Sequence, residues 1–196
     1  MNIFLQQLIN GLSVGSIYAV IALGYTMVYG IIRLINFAHG EIMMMGAYFA
    51  FITVFATGMP FYMVLIVSMV MAAVLGVTIE SLAYKPLRKA PRISALITAI
   101  GMSLFLQNLA LVIFRADPKI MPAIIPKRPI MIGPLQIGTV TVTTIALSIF
   151  FMVLLDFFVK KTKPGKSMRA VSEDKEASIL MGINVNKTIS ITFAIG

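Results

Sequence analysis

The chain has no cysteine in its 196 residues. That excludes disulfides, thiolate metal sites and a cysteine nucleophile. Charge is also scarce: 12% of residues are charged, where soluble domains run near about a quarter. Histidine occurs once, at His39, and no acidic residue lies before Glu41 or between Glu41 and Glu80. His39 and Glu41 are thus the one plausible acid–base pair of an embedded catalytic site. Two residues apart on a continuous helix, they point in different directions. No metal cluster, nucleophile–base set or G-x-x-x-x-G-K-[ST] phosphate loop accompanies them, so a membrane-embedded enzyme is the weakest reading. Residues 1–7 carry no Lys or Arg, and Gly11 and Gly15 interrupt the apolar run that follows. A cleaved signal peptide is therefore not expected.

What is abundant is apolar. Hydrophobic residues make up 59% of the chain, and they fall in runs rather than in the alternation of a soluble core. The reading is an all-α, polytopic transmembrane helical bundle. The formal net charge of +9 would suggest nucleic-acid binding in a soluble protein. Here the positive residues sit in a few short loops, so they report membrane orientation and no nucleic-acid partner is expected.

Five apolar runs are expected to form spans: residues 8–32, 42–57, 61–84, 93–114 and 140–159. Gly11, Gly15 and Ala19 fall at four-residue spacing, as do Ala72 and Gly76, and Gly46, Ala47 and Ala50 lie close together. Such small-residue faces let helix backbones approach closely. Gln107 and Asn108 lie inside the fourth run, where amides usually bond to a neighbouring helix. Pro60, after Gly58, suits the start of a helix. Residues 115–138 hold Pro118, Pro122, Pro126, Pro129 and Pro134, which forbid a regular helix. Their charges, Arg115, Asp117, Lys119, Lys127 and Arg128, give only a weak positive bias. The alternation Thr139-Val140-Thr141-Val142 suggests a short extended piece.

Between the first two runs stands Arg33-Leu34-Ile35-Asn36-Phe37-Ala38-His39-Gly40-Glu41. Asn36 competes for backbone partners and Gly40 is conformationally free, so both favour leaving a helix. Two readings stay open. The stretch is an interfacial turn with Arg33 at the water boundary, or a break in a discontinuous second helix whose polar groups line a cavity.

Two loops carry most of the positive charge. One is Lys85-Pro86-Leu87-Arg88-Lys89-Ala90-Pro91-Arg92, and the other is residues 160–187, with seven Lys and Arg against Glu173, Asp174 and Glu176. Both should be cytoplasmic. Two crossings separate them, which is self-consistent and puts the proline-rich segment outside. Counting backwards places residues 36–41 towards the inside and the N-terminus outside, if the first run crosses once. At the other end, residues 188–196 turn apolar again but number nine. Nine residues at about 1.5 Å each cannot span a core of about 30 Å, so at least one further span is expected beyond them.

The loop at 160–187 has two parts. Residues 160–169 form a basic anchor. Residues 172–181 read as a short helix, with Ser172 as N-cap and Glu173 and Asp174 in its first turn. Ala177, Leu180 and Met181 share a face, and Gly182 closes the helix in a left-handed conformation. About ten residues cannot hold a helix alone. It needs either the membrane surface or a cytosolic partner.

Here the sequence resembles a family. Glu176-Ala177-Ser178-x-x-x-Gly182 is similar to the EAA loop of bacterial ABC-importer permeases, with Ser178 where the pattern has a second Ala. Residues 34–41, followed by Met43-Met44-Met45-Gly46-Ala47-Tyr48, resemble branched-chain amino acid permeases of the LivH type. So do Gly11-Leu12-Ser13-x-Gly15-Ser16-x-Tyr18-Ala19, Leu23-Gly24-Tyr25-Thr26 and Tyr84-Lys85-Pro86-Leu87-Arg88. The resemblance covers essentially the whole chain, read as one permease domain over residues 1–196.

The resemblance implies a multi-pass subunit of the bacterial inner membrane, in an ATP-driven importer of branched-chain amino acids. Its partners would be two cytosolic ATP-binding subunits, a second related permease, an external substrate-binding protein and membrane lipid. It would hold no cofactor and would not itself be an enzyme. Glu176, Ala177, Ser178, Leu180, Met181 and Gly182 would form the coupling element. Asn36, Phe37, His39, Gly40 and Glu41 would lie near the translocation path. A related permease for urea or amides, or a secondary transporter lacking an ATPase, stands as the alternative.

Overall fold

The computed structural model describes residues 2–33, 35–125, 129–132 and 135–196. Leu34 of the motif, Pro126, Pro134, Lys127 and Arg128 lie outside the described residues. The helices are α1 (Asn2–Ile32), α2 (His39–Thr57), α3 (Phe61–Ile79), α4 (Arg92–Phe114), α5 (Thr139–Lys161), α6 (Lys163–Glu173), α7 (Lys175–Leu180) and α8 (Val185–Ile195). An antiparallel hairpin of β1 (Pro129–Ile132) and β2 (Leu135–Gly138) precedes α5, with Pro129 opposite Gly138 and Ile132 opposite Leu135.

Five helical stretches are long and apolar enough to cross a membrane: Ile3–Ile32, His39–Thr57, Phe61–Tyr84, Ile93–Phe114 and Thr139–Lys161. They are apolar on every side, unlike the one-sided helices of a soluble core. Phe4, Leu82, Val112 and Val153 are exposed on the isolated chain, which suits lipid or partner helices. The molecule is an all-α, multi-pass membrane bundle. A helix is the economical form for such runs, because it satisfies its own backbone groups without water.

That requirement explains one departure from the sequence reading. The alternation Thr139-Val140-Thr141-Val142 is the first turn of α5, not an extended piece. The extended residues lie just before it, in the hairpin.

The third run also departs from a plain helix. Its α-helix ends at Ile79, a π turn covers Glu80–Tyr84, and a 3-10 turn covers Lys85–Lys89. Pro86 lacks an N–H and its ring blocks the preceding turn, so a regular α-helix cannot run through it. The wide turn closes with Lys85 N–H donating to the Glu80 carbonyl. Gly58, at φ 61°, ends α2 with its N–H on Val54 O, and Pro60 opens α3 as expected.

The chain divides into two compact units: Met1–Gly24 with Ala123–Lys166, and Tyr25–Pro122 with Ser167–Gly196. In the first, Thr162 caps α6: its Oγ1 accepts from Gly165 N–H at 3.1 Å. Gly165 is required there, since a Cβ would collide with the carbonyls of Phe158 and Val159. Gly11 and Gly15, expected to serve close packing, meet nothing within 4 Å among the described residues.

In the second unit α3 is central. A Cβ on Gly46 of α2 would sit 3.7 Å from the Ala72 Cβ, an ordinary contact. A Cβ on Gly76 would meet the Phe193 backbone oxygen at 2.7 Å, so Gly76 sets how closely α8 lies on α3. Tyr48 stacks on Phe114 with centroids 3.9 Å apart, joining α2 to the end of α4.

Candidate functional site

The polar stretch between the first two spans is a true interruption. Helix α1 stops at Ile32, and α2 starts at His39, three residues earlier than the apolar run alone suggests. Arg33 takes a left-handed backbone, φ 57°, and its N–H closes on Tyr29 O at 2.7 Å. This is the helix-ending conformation usually left to glycine. For a side chain it costs about 1 kcal/mol or more.

Asn36 then builds a turn. Its Oδ1 accepts from Ala38 N–H at 3.1 Å and from the Tyr84 hydroxyl at 2.7 Å. Its backbone oxygen accepts from His39 N–H at 3.2 Å. Because Ala38 offers only a donor, the amide oxygen must be the atom facing it. The Asn36 side chain is buried, and its Nδ2 has no partner among the described residues. An unmade bond of this kind costs about 1–3 kcal/mol.

Of the other residues expected there, Phe37 is exposed, His39 packs edge-on to Tyr25 at 5.7 Å, and Gly40 lies inside the first turn of α2. Glu41 reaches α4: its Oε1 accepts from Gln107 Nε2 at 2.6 Å and from Ser103 Oγ at 3.3 Å. Gln107 thus bonds to a neighbouring helix as expected. Asn108 instead donates to Leu104 O of its own helix.

The basic loop is also better defined than its sequence suggests. Ser172 does not cap a helix. It lies inside α6, where its hydroxyl donates to Arg169 O at 2.7 Å. The cap is Asp174, which adopts an extended backbone and accepts from the N–H groups of Glu176 and Ala177 at 2.8 and 3.0 Å. The expected single helix over 172–181 is therefore two helices meeting at Asp174. Asp and Ser are comparable N-caps, and the basic run 163–173 is itself helical, which moves the start to the later residue. Met168 and Val171 of α6 are buried, giving that helix the tertiary support its composition did not advertise.

At its far end α7 closes in a complete Schellman turn. Gly182 has φ 80°. Its N–H donates to Ile179 O at 3.0 Å, and Ile183 N–H donates to Ser178 O at 3.0 Å. Within α7 the faces separate. Ser178 is buried, its hydroxyl donating to Asp174 O at 2.7 Å. Glu176, Ala177 and Gly182 are exposed. Ile179, Leu180 and Met181 are exposed by 60%, 88% and 82%.

Three charged residues join this loop to the ends of the spans, and sequence reasoning gave them smaller parts. The Arg33 guanidinium donates to Ser172 O at 2.8 Å and to Glu173 O at 3.4 Å, the last carbonyls of α6. Arg88 pairs with Glu80 and also bonds Asn186 Oδ1 of α8. Glu80 is fully buried, and its second oxygen accepts from Ser190 Oγ at 2.8 Å. On a regular helix Glu80 and Arg88 would stand about 12 Å apart. An acid at the end of an apolar run with an Arg eight residues on is a pairing signal only once the π turn between them is known.

Comparison with known proteins matches residues 7–196 to a family model described as "Branched-chain amino acid transport system / permease component". Over 206 aligned residues, the chain is 42% identical to the high-affinity branched-chain amino acid transport system permease protein BraD of Pseudomonas aeruginosa. It is 38% identical to the permease proteins named LivH of Salmonella typhimurium and of Escherichia coli K12. Each alignment takes in 98% of this chain and 67% of the relative. No solved structure matches.

Proposed function

The chain belongs to the branched-chain amino acid transport permease family, and from that premise we propose that it is the membrane subunit of an ATP-driven importer of branched-chain amino acids in the bacterial inner membrane. It would work with two ATP-binding subunits, a second related permease and an external substrate-binding protein. The observation that carries the coupling role is α7. Six residues long, it is far below the length at which a helix is stable alone. Yet it is capped at both ends and carries Ile179, Leu180 and Met181 into solvent. An apolar tip on a rigid corner has the form of a docking element. Glu176, Ala177, Leu180, Met181 and Gly182 would meet the ATP-binding subunit, while Ser178 supports the corner from within.

The break at residues 33–38 would lie beside the translocation path. Asn36 and Phe37 of the break, with His39, Gly40 and Glu41 of the first turn of α2, would be the residues there, and Glu41 would be the group suited to a substrate ammonium. The branched side chain itself asks only for apolar surface. Uptake tests this reading: the complete permease, reconstituted with its ATP-binding and substrate-binding partners, should import labelled leucine in an ATP-dependent, saturable way. Import of urea without leucine would overturn the substrate assignment. Uptake that proceeds without any ATP-binding subunit would overturn the importer class.

A further inference from the structure

Helix α7 is not held to the spans by close packing alone. A cavity of about 520 Å³ lies beneath it, lined by Arg33, Tyr84, Arg88, Asp174, Ile179 and Val185 among others. Polar ties flank α7 in the chain on both sides. On the N-terminal side, Arg33 holds Ser172 O and Glu173 O, immediately before the Asp174 cap. On the C-terminal side, Arg88 holds Asn186, just after the Gly182 turn, and the Arg88–Glu80 pair continues to Ser190. Each arginine stands where a span ends. Arg33 follows α1 and opens the 33–38 break, and Arg88 follows the π turn that carries Tyr84. Tyr84 in turn bonds Asn36 inside the break.

We infer that Arg33 and Arg88 are positioning residues that hold the chain on either side of α7, at the end of α6 and the start of α8, and transmit the displacement of α7 to the break at Asn36. The inference rests on the docking role proposed for α7. The chemistry suits the task. Both bonds come from one nitrogen, Arg33 Nη2, whose two N–H groups lie in the guanidinium plane, so this permanently charged group can hold two successive carbonyls at a helix C-terminus. A lever attached through such points moves the parts it is attached to. The same lever attached loosely would follow the ATP-binding subunit without moving them. The left-handed backbone at Arg33 fits this role: glycine would satisfy that conformation more easily but would bring no guanidinium.

The test uses the complete permease assembled with its partners in proteoliposomes, reading three quantities: retained ATP-binding subunit, ATP hydrolysed, and leucine imported. Arg33→Gly relieves the backbone and removes the guanidinium. Asn186→Ala releases α8 from Arg88 without disturbing the buried Glu80–Arg88 pair. The double variant should keep its ATP-binding subunit and its hydrolysis while leucine imported per ATP falls roughly tenfold, the size of a typical coupling between sites. Arg33→Lys, which keeps a cation but not the guanidinium, should fall between. Leu180→Asp, in contrast, should release the ATP-binding subunit altogether. If Leu180→Asp releases it while the double variant keeps a wild-type ratio, the positioning role is overturned and the docking role stands. If Leu180→Asp leaves it bound, the docking role fails and the inference with it. Loss of folded complex in the double variant would also overturn the positioning role, since a purely structural role would then suffice.

Discussion

Glu80 and Glu41 are both carboxylates set in apolar helices, and the chain treats them in opposite ways. Glu80 is fully buried and satisfied on both oxygens, by Arg88 and by Ser190. Glu41 is only half-buried and takes its bonds from neutral donors, Gln107 and Ser103. The first arrangement locks elements together, because a charge buried without its partner is expensive. The second holds a carboxylate in place through neutral donors, with no cationic partner among the described residues. The carboxylate sealed by arginine serves the frame; under the proposed function, the one propped by amide and hydroxyl would serve the path.

Breaking the sealed pair should have the largest effect. Arg88→Ala leaves Glu80 buried and uncompensated, at a cost of about 3–5 kcal/mol. Folded yield and thermal unfolding in detergent should fall sharply. Adding Glu80→Gln should recover much of the loss, and a wild-type melting curve for Arg88→Ala alone would show the pair to be dispensable. Next comes Gly76→Ala. Its new Cβ meets Phe193 O, so α8 must shift and carry Ser190 away from Glu80, costing about 1–3 kcal/mol. Gly11→Ala, with open space around it, serves as the control and should leave the melting temperature of the isolated subunit unchanged.

Glu41→Gln should have the smallest effect on stability. The new side chain can still accept from Gln107 and Ser103, so the fold should change by no more than about 1 kcal/mol. Leucine uptake should nevertheless drop by about tenfold or more, the loss expected when a charged hydrogen-bond partner becomes neutral. Normal uptake by Glu41→Gln would place Glu41 in the frame beside Glu80 and remove the contrast.

Much of this was legible in the sequence. The five spans follow from apolar runs, because in lipid the helix is the one open-ended form that satisfies its own backbone. Gly182 announced the end of α7, since few other residues take that backbone conformation readily. Other features were not legible, and each for a local reason. Ser172 and Asp174 are near-equal caps, so the choice between them depended on α6, whose support comes from the burial of Met168 and Val171. Thr139–Val142 carries a strand-like alternation that only its membership of a long apolar helix overrules. Glu80, Arg33 and Arg88 looked like a helix-end acid and two boundary charges. Their partners Ser190, Ser172 and Asn186 are 98 to 139 residues away, and no local pattern encodes a pairing over that distance. Asn36 was singled out for its tendency to break a helix, but its bond to Tyr84 was equally beyond local reach.

The absence of cysteine makes docking through α7 directly measurable, because a single introduced thiol has no competitor in this chain. In the complete permease bound to its ATP-binding subunits, cysteine should be placed in turn at residues 178, 180 and 181 and treated with a short thiol-to-amine cross-linker. Cross-links to the ATP-binding subunit should form from Leu180→Cys and Met181→Cys, and few from Ser178→Cys, whose position is buried. No cross-link from the two exposed positions, or equal yield from all three, would contradict the claim that the capped tip of α7 is where this permease receives its drive.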